Sequence, residues 1–123
     1  MKRQQIEAYI QAYNNFDVSG MLQYLDEHII FENLSNGQTS LRTEGIQAFA
    51  EQAQAATAYF SQRQQTITDW HEDKQSITVS IQYTATLAQD LPNGMKAGDT
   101  LTLEGKSVFT FKNEKIIRIS DES

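Results

Sequence analysis

The chain contains no cysteine, only one proline, Pro92, and only two histidines, His28 and His71. Without cysteine there can be no disulfide, no thiol nucleophile and no thiolate metal site. With so few histidines a zinc site would have to be built largely from carboxylates. His28 is placed at a helix C-terminus, where the dipole accounts for it, and His71 near an exposed turn. Neither reads as a metal ligand, and no metal or cofactor is expected. No stretch approaches the ~18 consecutive apolar residues that a membrane-spanning helix needs. The opening MKRQQIEAY has no apolar core behind Lys2 and Arg3, so it does not read as a signal peptide, and a cytoplasmic protein is expected. Basic residues are also scarce, ten against sixteen acidic, for a net charge of −6, and they are scattered. That pattern argues against a nucleic-acid face. It favours a neutral or apolar ligand over an anionic one.

What is present suggests one domain over 1–123, large enough to bury roughly two-thirds of its unfolded surface. Ile6, Tyr9, Ile10 and Tyr13 share a helical face. Asn14-Asn15-Phe16 breaks the pattern, and Asp17 can cap a second helix carrying Val18, Met21, Leu22 and Leu25. That helix is expected to end at Asp26-Glu27-His28, with a β-branched strand over 28–33. The polar Leu34–Leu41, with its Asn-Gly pair, reads as a loop, and Thr43 as the cap of a third helix. Ile46, Phe49, Ala50, Ala53, Thr57 and Phe60 line one side of that helix. After Arg63 the period falls from about 3.6 to about 2. Strands are then expected over 64–72, 77–87, 100–111 and 115–120, with turns at 73–74, 91–94 and 113–114. Helices early and antiparallel strands late give an α+β fold, a curved antiparallel sheet wrapped as a cone around the N-terminal helices. Such a cone can leave an apolar pocket at one end.

The run Y-x3-Y-N-x2-D-x3-M-L-x2-L from Tyr9, a strand ending Phe31-Glu32-Asn33, and Glu44-Gly45-Ile46 opening a helix together resemble the nuclear transport factor 2-like superfamily. Ketosteroid isomerases and SnoaL-like polyketide cyclases share its cystatin-like fold. The resemblance implies a homodimer and a small-molecule pocket, and a scaffold that also serves binding modules. In the isomerases an Asp base works beside a Tyr and a protonated Asp that hold the substrate oxygen. By position, Tyr9 matches that tyrosine, Asn33 the base, and Ser107 the neighbourhood of the second acid. An amide does not take a proton from carbon at neutral pH, so isomerase chemistry by that route is not expected. Cyclases of this fold use an acidic pocket residue, and no counterpart is assigned from the sequence.

The candidate pocket residues are therefore Tyr9, Phe31, Asn33, Phe49, Phe60, Trp70, Ser107 and Phe109. Tyr9 and Asn33 would polarise a ligand oxygen. Alternation puts Asn33 inward with Phe31, whereas a one-residue slip would bring Glu32 in as a base instead. The large aromatics are equally what a core of this size requires. Two functions follow: a SnoaL-like pocket acting as an isomerase, cyclase or hydratase on a small hydrophobic cyclic molecule, or a non-catalytic binding or dimerisation module. The outer sheet face, rich in Thr, Ser and Gln, is the expected homodimer surface.

Overall fold

The computed structural model describes residues 2–123. Two helices, α1 (Lys2–Asn14) and α2 (Val18–Leu22), lead into β1 (Leu25–Ser35) and β2 (Gln38–Glu44). The third helix, α3 (Ile46–Thr57), precedes β3 (Phe60–Glu72), β4 (Ser76–Leu87), β5 (Thr100–Lys112) and β6 (Lys115–Glu122). The six strands form one curved, open sheet in the order β2-β1-β6-β5-β4-β3. Four pairings are antiparallel, but β1 and β6 run parallel, because the helix and four strands between them bring the chain back in the same direction. The register shifts at Asn33/Leu34, Ile67/Asp69 and Thr110/Phe111, where bulges increase local bend and twist.

Several local expectations are corrected. The second helix ends at Leu22; Leu25 and His28 already belong to β1, so the helix dipole cannot account for His28, which is exposed beside Glu27. Asp17 does cap α2, accepting a bond from the Gly20 amide at 3.0 Å. Leu34–Leu41 is no loop. Asn36 and Gly37, both at positive φ, make a two-residue turn that pairs Ser35 with Gln38, the geometry Asn-Gly favours in hairpins. Thr43 consequently lies in β2 opposite Phe31, and the start of α3 falls to Gly45, which has no side chain to cap with. Phe60 is not on α3 but opens β3.

Packing sorts the inner sheet face into two ends. At the closed end, Phe109, Ile119 and Ile77 lie in one row across β5, β6 and β4, all essentially fully buried. Tyr9 packs edge-on against Phe109 at 5.6 Å, and Phe31 against Phe49 at 5.5 Å, so α1 and α3 seal this end. At the other end α1 stops. Asn14 fastens it to the edge strand: its side-chain amide donates to the Gln65 carbonyl at 3.1 Å and accepts from the Gln65 amide at 2.7 Å. Helix α1 thus stands over β3 with Tyr13 facing the open half of the sheet. No helix of the described residues is long and apolar enough to cross a membrane.

Candidate functional site

The site is a row of polar residues set one step along the strands from the closed end. Asn33 on β1 is paired with Asp121 on β6, and Asp121 with Ser107 on β5. Directly opposed residues share a face of the sheet, so these three side chains stand together. They line a cavity of about 360 Å³, at the lower end of the ~300–1,000 Å³ typical for small-molecule sites. Ser107 is buried, and its hydroxyl donates to the Asp121 carboxylate at 2.6 Å. Desolvation pushes the Asp121 carboxyl up to about 6, against a smaller downward pull from the Ser107 hydrogen bond. A carboxyl titrating there can accept a proton at neutral pH and still return one.

The facing wall comes from α1, β3 and β4. Tyr13, Gln65 and Tyr83 line the same cavity, and the two phenol oxygens are 2.9 Å apart. Burial raises both phenols above their ordinary range, so both remain protonated near neutrality. Leu101 and Leu103 on β5, Ile81 on β4 and Phe60 at the start of β3 complete the apolar lining. Gly105 sits where a Cβ would collide with the Glu122 carbonyl, so only glycine lets β5 and β6 approach this closely at the pocket wall.

Of the residues singled out from sequence, Asn33, Phe60 and Ser107 line the cavity; Tyr9, Phe31, Phe49, Trp70 and Phe109 do not. Tyr9 is buried in the closed end. Its hydroxyl is held well above the usual phenol range, first by burial and then by the negative charge of Asp121. Trp70 lies further along the row, with the Arg3 guanidinium 4.9 Å from its ring. Phe31, Phe49 and Phe109 fill space that would otherwise belong to a deeper pocket. Glu32 points to the outer face, buried beneath Arg118 and Arg42 and paired with both. Asp121 escapes the sequence reading because the expected last strand stops at Ser120, whereas β6 runs to Glu122; the alternation from Ile119, carried one step further, places Asp121 inward.

A family model for the SnoaL-like domain matches residues 6–119. The chain belongs to the SnoaL-like domain family. Solved structures with the same architecture include a candidate polyketide cyclase from Xanthomonas campestris pv. campestris. It is 21% identical, with a TM-score of 0.84, covering 98% of this chain and 88% of that one. A second candidate polyketide cyclase, from Pseudomonas putida KT2440, is 20% identical with a TM-score of 0.74, covering 95% and 86%. A protein of ketosteroid isomerase-like fold from Catenulispora acidiphila, solved with trimethylamine, is 11% identical with a TM-score of 0.77, covering 96% and 83%. At these identities the likeness shows the fold alone. No curated protein matches the chain. Membership of the SnoaL-like family suggests small-molecule binding or cyclase-type chemistry.

Proposed function

We propose that this SnoaL-like protein binds a small, largely apolar, oxygen-bearing cyclic molecule in the cavity and shuttles a proton on it through Asp121, in an isomerase-, cyclase- or hydratase-type reaction. The observation that carries this reading is the placement of Asp121: a cavity-lining carboxyl, hydrogen-bonded by Ser107 and raised to about 6. Its carboxylate would take a proton from a carbon next to a carbonyl. The electron pair moves onto the carbonyl oxygen, and the proton is returned at the same or a conjugated carbon. Asn33, where the family resemblance suggested the base, is left as an uncharged polar neighbour of Asp121 on the cavity wall.

Exchange of the acidic C–H protons of 2-tetralone, a two-ring ketone, into deuterated water tests the proposal by proton NMR. The wild type is expected to accelerate exchange, with a rate rising through about pH 6 as Asp121 ionises, and Asp121→Asn to lose that acceleration about 100-fold or more. Wild-type exchange no faster than that of Asp121→Asn would overturn catalysis and leave the non-catalytic binding module as the reading.

Two further parts belong to the same proposal. A homodimer through the outer sheet face is supported by the exposed, moderately polar surface of Gln82, Thr84, Thr102 and Glu104, which no helix of the described residues covers. A monomer in the native mass spectrum would overturn it. Cytoplasmic placement is supported by a cysteine-free chain that needs no oxidising compartment to fold.

A further inference from the structure

Arg63 is the least expected side chain of the inner face. It is 4% exposed, and no carboxylate pairs with it among the described residues. A buried cation is costly unless paired. Here two aromatic faces take the place of an acid: the guanidinium carbon lies 3.7 Å from the centre of the Tyr13 ring and 4.5 Å from that of Phe16. The Nε donates to the Tyr13 carbonyl at 2.8 Å, while Nη2 is buried without a partner. The guanidinium thus lies against the Tyr13 ring without itself lining the cavity, and no carboxylate among the described residues neutralises it.

In front of it stand two phenols with one hydrogen bond between them. Whichever hydroxyl donates, the other keeps its own proton uncommitted to its neighbour. A hydroxyl that already accepts a bond is the stronger donor for it, and a cation against the Tyr13 ring draws electron density from that phenol. Both tyrosines line the cavity, beside Gln65, whose Oε1 is buried without a partner. Tyr83 lies four residues along β4 from Val79, the residue paired with Ser107, and so about 13 Å from the Asp121 row at backbone level. The cavity thus has two polar ends with apolar walls between them.

We infer that the Tyr13–Tyr83 hydroxyl pair is a binding site for a ligand oxygen that carries or develops negative charge, with Arg63 as the positioning residue that polarises the pair from behind. This inference deepens the proton-transfer reading and rests on it for the identity of the opposite end. It names a ligand with an acidic or enolisable oxygen remote from the carbon that faces Asp121. It also moves oxygen recognition away from Tyr9, where the family resemblance would have put it. Asp121 is the charged side chain on the inner row; Glu122 on β6 and Glu104 and Lys106 on β5 border the cavity from positions that alternate to the outer face, with Lys106 3.7 Å from Glu122. Among the described residues, the lining contributed by α1, β1, β2, β3 and β4 is uncharged.

The probe is 7-hydroxycoumarin, whose neutral and ionised forms differ in absorption, titrated against each variant across the pH range of its phenol. The wild type is expected to bind the phenolate at least tenfold more tightly than the phenol, lowering the bound probe's apparent pKa by at least one unit. That preference should collapse toward unity in Tyr83→Phe and Arg63→Met and be retained in Arg63→Lys. It should persist or grow in Asp121→Asn, which removes a competing negative charge. If Arg63→Met does not fold, as read by circular dichroism, Tyr83→Phe and Tyr13→Phe decide the matter. Equal affinity for both forms in the wild type, an unchanged preference in the two phenylalanine variants, or no binding at millimolar probe would each overturn the inference. The ketone exchange assay is read separately, so loss of oxygen recognition can be told apart from loss of proton transfer.

Discussion

The two ends of the inner sheet face are built by the same strands and differ by a single step along them. In one row stand Phe31, Ile119, Phe109 and Ile77; in the next stand Asn33, Asp121, Ser107 and Val79. The first row lies beneath α1 and α3 and is closed by aromatic contacts. The second emerges where α1 ends, and there the protein leaves a cavity and places a carboxyl in it. Curvature alone does not make a pocket. The pocket exists because α1 stops at Asn14, is clamped to the β3 edge, and hands its last aromatic, Tyr13, to the cavity wall instead of the core.

The sharpest way to break that contrast is at its closed end. Phe109 is 0% exposed and contacts Tyr9 edge-on. Phe109→Ala should cost about 3–5 kcal/mol, the usual penalty for emptying a core aromatic site, measured by urea unfolding. A loss below about 1 kcal/mol would mean that this end is not the closed core described. At the open end the sign reverses. The folded-state carboxyl of Asp121 is raised to about 6 from an ordinary 3.8. Whatever stability the protonated form gives is therefore complete below about pH 4 and lost as pH rises through about 6. Asp121→Asn fixes an uncharged acceptor for the Ser107 hydroxyl and escapes that loss. With allowance for partial solvent access, the variant should be about 1–2 kcal/mol more stable than wild type at pH 8, and the difference should vanish near pH 4. A gap independent of pH would show that the carboxyl is not desolvated.

The fold was legible because its signals are local. The i, i+3, i+4 spacing of α1, the Asp17 cap and the strict alternation from Ile77 to Leu87 each act within a few residues. The β1–β2 hairpin is signalled by Asn36-Gly37, but the polar composition of Leu34–Leu41 imitates a loop and masks it. The site was less legible. Ser107 and Asp121 become a pair only through the β5–β6 register, and ending the strand at Ser120 left the acid out by one residue. Tyr13 and Tyr83 are 70 positions apart. Arg63 looked like one more scattered surface charge, and the expectation of a neutral or apolar ligand followed from that scatter. Composition counts charges without saying which of them is buried.

Asn33 sits at the boundary between the two ends and should give the smallest stability effect. Its side chain makes no hydrogen bond among the described residues; beyond the strand ladders, its main-chain carbonyl accepts from the Ser40 hydroxyl. Asn33→Leu keeps the volume nearly constant and removes a polar group from a partly buried wall, so stability should change by no more than about 0.5 kcal/mol. The cavity should report what the fold does not. A leucine beside Asp121 deepens desolvation and should push its carboxyl above about 6, so that the ketone exchange rate rises at higher pH than in the wild type. A stability loss of about 2 kcal/mol or more would instead assign Asn33 to the closed end, as a structural residue whose partner is the backbone of the β1–β2 hairpin. An unchanged pH profile with unchanged stability would place its amide out of reach of the carboxyl. In that case the polar row would shrink to Ser107 and Asp121.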